Sequence, residues 1–414
     1  MSKTRFHFLL ADRILRDKGN RFSRPIVTLS VCGVSLGLVI MMIAIGITSG
    51  YKQEIRDKVI AMGSHIRITY YDKDYENNPS YDVRPITKDA NLLKELQQNS
   101  DIAHIQFAAT KCGVLKSDEQ VEGIILKGVD ATFDWQAFQG NMVTGKPLEL
   151  SGDTTTKGLL VSQSIADRLK LKVGDKVFGY FWNEGKKFDR AFRVSGIYST
   201  GMPEYDDHFV IGDLRHVQKI NGWTPEQVGC MEILINDYDQ LDEVGEYVHQ
   251  HIGPYLQAHT IRQLYPAIFS WTDLFDTNVM VLLTITLIIC MITLISTFFI
   301  IILERTPTIG ILKTMGMTTT DVRGVFVRLG LRLIVVGMGI GNIVGIGICL
   351  LQKYLHIIKL DEHSYYVPYV PISFNWIFLA AVNLVLLLIC LLVLLIPATF
   401  VSKRITPVNA IRFE

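Results

Sequence analysis

TNVMVLLTITLIICMITLISTFFIIIL (residues 277–303) runs directly into ERTPTIGILKTMG (residues 304–316), and this junction decides how the chain folds. The first segment is 27 residues long and holds no Asp, Glu, Lys or Arg. As helix, about 20 apolar residues cross the hydrocarbon core of a bilayer. A core helix of a soluble protein is rarely so long and so free of charge. Three more uncharged runs lie on either side, at residues 25–51, 333–352 and 364–402. The expected fold is therefore a membrane protein with four transmembrane helices, at 25–51, 277–303, 333–352 and 374–400. A short outer loop is expected at 353–373 and a tail at 401–414. The first run exceeds the 7–15 residues of a signal-peptide core and reads as a retained anchor.

The block between the first two spans, residues 52–276, has ordinary globular composition and is long enough to bury a core of its own. It carries 24 Lys and Arg against 33 Asp and Glu, a net charge of −9 in a chain of net +1. The segments next to the spans are basic instead. Lys3, Arg5, Arg13, Arg16, Lys18, Arg21 and Arg24 precede the first span, and Arg305, Lys313, Arg323, Arg328 and Arg332 lie in the 304–332 segment. Positive charge in short flanking segments marks the cytoplasmic side. Both termini and the 304–332 loop are thus expected inside, and the acidic block outside. Residues 5–18 place Phe6, Leu9, Leu10, Ile14 and Leu15 at helical spacing opposite basic residues, which predicts a helix lying on the inner membrane surface.

Within the outer block, β-rich runs at 66–71, 103–115, 122–128 and 231–235 alternate irregularly with helical patterns at 88–98 and 241–252. Residues 159–171 read as a strand leading into a helix. A hairpin is expected from 176–182 to 188–197 across Asn183-Glu184-Gly185. A mixture without regular βαβ alternation predicts a large α+β domain, in two subdomains.

Several motifs fail on their physics. GNMVTGK (140–146) follows a phosphate loop until Pro147, which offers neither a hydroxyl for Mg²⁺ nor a backbone N–H. Gly33-Val34-Ser35-Leu36-Gly37 has nucleophile-elbow spacing but sits in an apolar helix. His249 and His251, two apart on a helix, point to different faces. No metal site, bound cofactor or catalytic constellation is expected, nor a nucleic-acid partner. The spans contain no ionisable residue, which argues against an ion-coupled transporter. Glycines four apart at 33/37, 46/50 and 337/341/345 predict close helix packing. Cys112 and Cys230 are the two outer cysteines, and their pairing stays open.

The segment after the second span predicts a short helix with Pro307 in its first turn, a stop at Gly316 and a new helix from about Thr320. ERTPTIGILKTMGMTTTDV (304–322) resembles the motif of the MacB/FtsX-like permeases of ABC transporters. FLLADRI (8–14), GITSGYKQE (46–54), AMGSHIRI (61–68), VSGIYSTGMPEY (194–205) and PVNAIRFE (407–414) resemble the lipoprotein-releasing, Lol-type members. The resemblance implies a permease that pairs with itself or a paralogue and docks two cytoplasmic ATPase subunits. Docking falls to Glu304, Arg305, Ile309, Gly310, Leu312, Lys313, Met315 and Gly316. ATP and Mg²⁺ would be bound by the partner, and this chain would not itself be an enzyme. The cargo would be a lipoprotein drawn from the outer leaflet of a bacterial inner membrane and passed to a periplasmic carrier. Met42, Ile45, Val279, Leu282 and Leu283, near the outer ends of the first two spans, are the residues expected to shelter its acyl chains. Two departures stand out. Pro307-Thr308 replaces the usual Arg-Glu, and the hairpin at 183–187 is short for one that recruits a carrier. A MacB-like efflux or other mechanotransmission permease, and a ligand-binding membrane sensor, are the alternative readings.

Overall fold

In the computed structural model, residues 23–72, 84–152 and 154–404 are described. The interfacial helix expected at 5–18 and the tail from 405 onward lie outside the described residues. The chain divides into two units: Met1–Gln53, Thr272–Lys359 and Tyr369–Glu414 form one, and Glu54–Trp271 with Leu360–Pro368 form the other.

Four helices are long and apolar enough to cross a membrane: Ser23–Gly63, Pro266–Glu304, Thr319–Leu355 and Trp376–Arg404. The first three each contain one of the uncharged runs, and the fourth begins twelve residues into the last run, at Trp376. The first continues three turns past its run and the second starts before its own, because the flanking polar residues are good helix formers outside the bilayer. The third begins at Thr319, so residues 319–332 are its first turns rather than an irregular loop. Thr318 caps it, accepting from Asp321 N at 3.2 Å.

Small residues set the helix packing, as their spacing predicts. A Cβ added at Gly37 would lie 2.3 Å from Cys290 Sγ of the second helix. Added at Gly341, it would lie 2.9 Å from the Ser35 carbonyl oxygen of the first. Polar side chains join the third and fourth helices. Asn342 Nδ2 donates to Asn383 Oδ1 at 2.8 Å and Asn383 Nδ2 donates back to Asn342 Oδ1 at 3.1 Å. Leu38, Met42, Phe298, Ile334 and Leu394 are among the residues of the shared apolar core.

The outer unit contains a mixed sheet, consistent with the α+β expectation. Its strands are β1 (Ile66–Tyr70), β3 (Ile102–Lys116), β4 (Val121–Val129), β5 (Met142–Gly145), β6 (Gly158–Ser162), β7 (Lys176–Asn183), β8 (Lys186–Tyr198), β9 (Phe209–Asp213), β11 (Cys230–Ile235) and β12 (Leu256–Thr260). A separate pair joins β2 (Ile86–Thr87) to β10 (Gln227–Val228). The order is β12-β1-β11-β3-β4-β9-β6-β8-β5, and β7 pairs with both β3 and β8. That double pairing closes β3, β4, β9, β6, β8 and β7 into a ring. Leu115, Ile124, Phe181 and Phe192 are buried on the inward positions of its strands. Gly113 and Gly179 make room there, since a Cβ at either would clash with the Phe181 ring. The sequence predicts two subdomains, but the sheet has no break between them. The reason is β3, which is 15 residues long: its first half pairs with β11 and its second half with β4 and β7.

Cys112 and Cys230 remain thiols. Cys230 lies opposite Ala108 on β3, four residues from Cys112, and at strand rise that is about 13 Å.

Candidate functional site

The second membrane helix ends at Glu304, and after a turn at Arg305 the chain forms a nine-residue helix, Thr306–Thr314. Helical bonding barely lapses: Arg305 N donates to Ile301 O at 3.1 Å and Ile309 N to Arg305 O at 3.0 Å. Pro307 sits in the first turn, where no N–H is needed. The helix stops because Gly316 adopts φ +94°, a left-handed conformation that favours glycine. Met317 N then donates back to Leu312 O at 3.1 Å.

This short helix has two faces. Ile309 is 2% exposed and belongs to the apolar core with Val322, Val325 and Phe326 of the third membrane helix. Gly310 and Arg305 are buried as well. Pro307, Ile311 and Met315 point outward at four-residue spacing, with Ile311 59% and Met315 79% exposed. The predicted docking residues therefore separate. Arg305, Ile309 and Gly310 hold the helix on the bundle; Glu304, Leu312 and Lys313 are half-buried; Met315 and Gly316 are exposed. Sequence reasoning missed Ile311 and Pro307. Ile309, Ile311 and Leu312 are equally apolar, and only the buried position of Ile309 tells which face is free. The four-residue spacing of Pro307, Ile311 and Met315 was the available signal.

The predicted acyl-chain residues also separate. Met42 and Ile45 are buried, and Met42 Sδ packs toward Gly345 of the third membrane helix. Leu283 packs half-buried against the same core as Met42. Val279 is half-buried and Leu282 is exposed. Met42 and Leu283 thus share one apolar core, and Leu282 is left exposed.

The rejected motifs are structural. Residues 142–145 of the loop-like GNMVTGK form β5, paired with β8 rather than followed by a helix. Ser35 lies inside the first membrane helix. Among the described residues no three His, Cys, Asp or Glu side chains are grouped to hold a metal.

Four membrane-length helices, an α+β domain between the first two and a short helix after the second define a permease. Residues 27–251 match the MacB-like periplasmic core domain, and residues 280–404 match the FtsX-like permease C-terminal domain. The chain belongs to this MacB/FtsX-like family of ABC-transporter permeases. It is similar to the lipoprotein-releasing system transmembrane protein LolC of Xylella fastidiosa (strain 9a5c), at 22% identity over 97% of both chains. It is similar also to LolE of Haemophilus influenzae, at 21% identity over 96% of this chain and 97% of that one. LolC of Neisseria meningitidis serogroup B is 20% identical over 96% of each.

Proposed function

We propose that this chain is the membrane subunit of an ABC transporter that extracts lipoproteins from the outer leaflet of a bacterial inner membrane and releases them toward the outer membrane. The observation that carries the reading is the exposed strip Pro307, Ile311 and Met315 on a helix anchored at the end of the second membrane helix. Isolated apolar side chains on a surface are unremarkable, but three on one face of a rigidly seated helix suit a partner's groove. The partner is a cytoplasmic ATPase, present in two copies, which binds ATP and Mg²⁺. A second permease, this chain again or a paralogue, completes the assembly. The similarity to proteins named as lipoprotein-releasing over nearly the whole chain supports the cargo class.

The energetics explain why ATP is needed. Each methylene withdrawn from the bilayer costs about 0.8 kcal/mol, so a lipid-modified protein leaves only when work is done and an apolar shelter is at hand. Val279, Leu282 and Leu283 offer such a surface, while Met42 and Ile45 are buried within the bundle. The termini and the short helix face the cytoplasm and the α+β domain the periplasm, where a carrier would collect the cargo.

The test is purification from native membranes in mild detergent, with mass spectrometry of everything that accompanies the chain. An ATPase together with acylated proteins supports lipoprotein release. An ATPase with an adaptor or outer-membrane duct moves the reading to efflux, and the repeated absence of any ATPase moves it to a sensor.

A further inference from the structure

Lys127, in β4, is 3% exposed, and Glu232, in β11, is 1% exposed. Lys127 Nζ donates to Glu232 Oε1 at 2.8 Å and to Oε2 at 3.1 Å. It donates also to the main-chain carbonyl of Met62 at 2.6 Å. Between the two strands, Gln106 of β3 donates to Glu232 Oε2 at 2.8 Å and accepts from Asp134 N at 3.0 Å. Arg67 lies 3.7 Å from Glu232. Burial by itself would raise the Glu232 carboxyl, but the Lys127 and Arg67 charges outweigh burial and hold it below the usual range. Lys127 and Glu232 are thus a buried pair, hydrogen-bonded to each other, to Gln106 and to the Met62 carbonyl.

Met62 is the penultimate residue of the helix Ser23–Gly63. Its carbonyl is among the last four, which have no partner within the helix. A Cβ added at the next residue, Gly63, would lie 2.8 Å from Ile261 Cδ1 and 3.1 Å from the Tyr205 hydroxyl. The helix end is thus closely seated and bonded at one defined carbonyl. A buried ion pair is a poor way to gain stability, since its desolvation cost rivals its attraction and apolar replacements are often as stable. It is a good way to fix position, because hydrogen bonds are directional and apolar contacts are not.

We propose that Lys127 is a positioning residue that, with Glu232, locks the end of the first membrane helix to the middle of the outer sheet, so that helix movement during ATP-driven work enters the sheet without slippage. The proposal rests on the transport reading above. Neither residue belongs to the docking strip or to the acyl-chain surface.

The test uses the full chain with its co-purified ATPase in nanodiscs. Nitroxide labels are placed at Asp57→Cys on the helix and Glu184→Cys at the β7–β8 turn, with Cys32 and Cys112 replaced by Ala. The distance distribution is recorded nucleotide-free and after ATP–vanadate trapping. The parent protein should show one narrow distribution in both states. Lys127→Met should broaden it about twofold or more. The amount of a triacylated model lipoprotein released per ATP hydrolysed should fall about fivefold, within the range of measured coupling changes. Lys127→Met strands the buried Glu232 carboxylate and should melt lower, whereas Lys127→Met/Glu232→Gln should show the same uncoupling with the melting temperature largely kept. If Lys127→Met fails to fold, Lys127→Met/Glu232→Gln removes both charges and takes its place. An unchanged narrow distribution in the variant overturns the proposal, and so does a parent distance that shifts on trapping. A parent protein that releases no lipoprotein sinks the transport reading instead, and the label distances still decide the joint.

Discussion

His65 lies where the first membrane helix gives way to β1, and burial there, reinforced by the Arg56 charge, lowers its pKa to about 4. The neutral ring accepts from Ile235 N through Nδ1 at 3.3 Å. The folded pKa lies below the free value of 6.5, so between those two values the unfolded chain binds more protons. Stability contributed at this site is therefore complete above about pH 6.5 and declines as pH falls toward 4. Melting the protein at pH 7.5 and pH 5, beside His65→Asn, checks it: the parent should lose more on acidification than the variant. Equal losses would remove His65 as the cause. No sequence signal marked this histidine, since its burial depends on where β11 and the helix end meet.

At the scale of elements, the short helix after the second span separates anchoring from docking. Ile311→Asp should leave melting unchanged and abolish co-purification of the ATPase. Ile309→Asp should lose both, because a carboxylate would enter the apolar core, a change that costs several kcal/mol. Retained ATPase binding in Ile311→Asp would exclude this face as the docking surface. The Asn342–Asn383 pair gives a second element-scale prediction. Reciprocal amides within a bundle contribute about 0.6 kcal/mol per bond on average in membranes. Asn342→Leu alone leaves Asn383 Oδ1 and one of its N–H groups without their partner, although Nδ2 keeps its bond to Leu379 O, and should destabilise by about 1–2 kcal/mol. Asn342→Leu/Asn383→Leu should recover much of that loss, as measured by thermal unfolding in detergent. A double variant no better than the single would show that the amides act independently. The helices were legible from their uncharged runs and the hairpin from its turn; the pairing of the two asparagines was not, because residues 41 positions apart on unrelated helices carry no mutual signal in one sequence.

At the scale of the molecule, charge asymmetry sets the topology. In the proposed topology, the −9 block lies outside and the basic flanking segments inside, which puts Glu184 and Met315 on opposite sides of the membrane. With Cys112 replaced by Ala, Glu184→Cys should react with an impermeant maleimide added to intact spheroplasts. Met315→Cys should react only after the membrane is opened. Labelling of Met315→Cys in intact spheroplasts would invert the assignment.

What the sequence determined by itself are the properties that local chemistry sets: the four uncharged helices, the class of the domain between the first two, the hairpin turn, the glycine stop at Gly316 and the family. Each follows from length, charge or backbone conformation within a few turns of chain. The tertiary structure decided which of several equally apolar side chains face inward. It put Ile309 in the core and Ile311 outside, buried Met42 and exposed Leu282. It also closed the six-strand ring through β7 and brought Lys127 onto both Glu232, 105 residues away, and the Met62 carbonyl. The physical reason is that facing and long-range pairing are set by what packs opposite a residue, and that neighbour comes from a distant part of the chain.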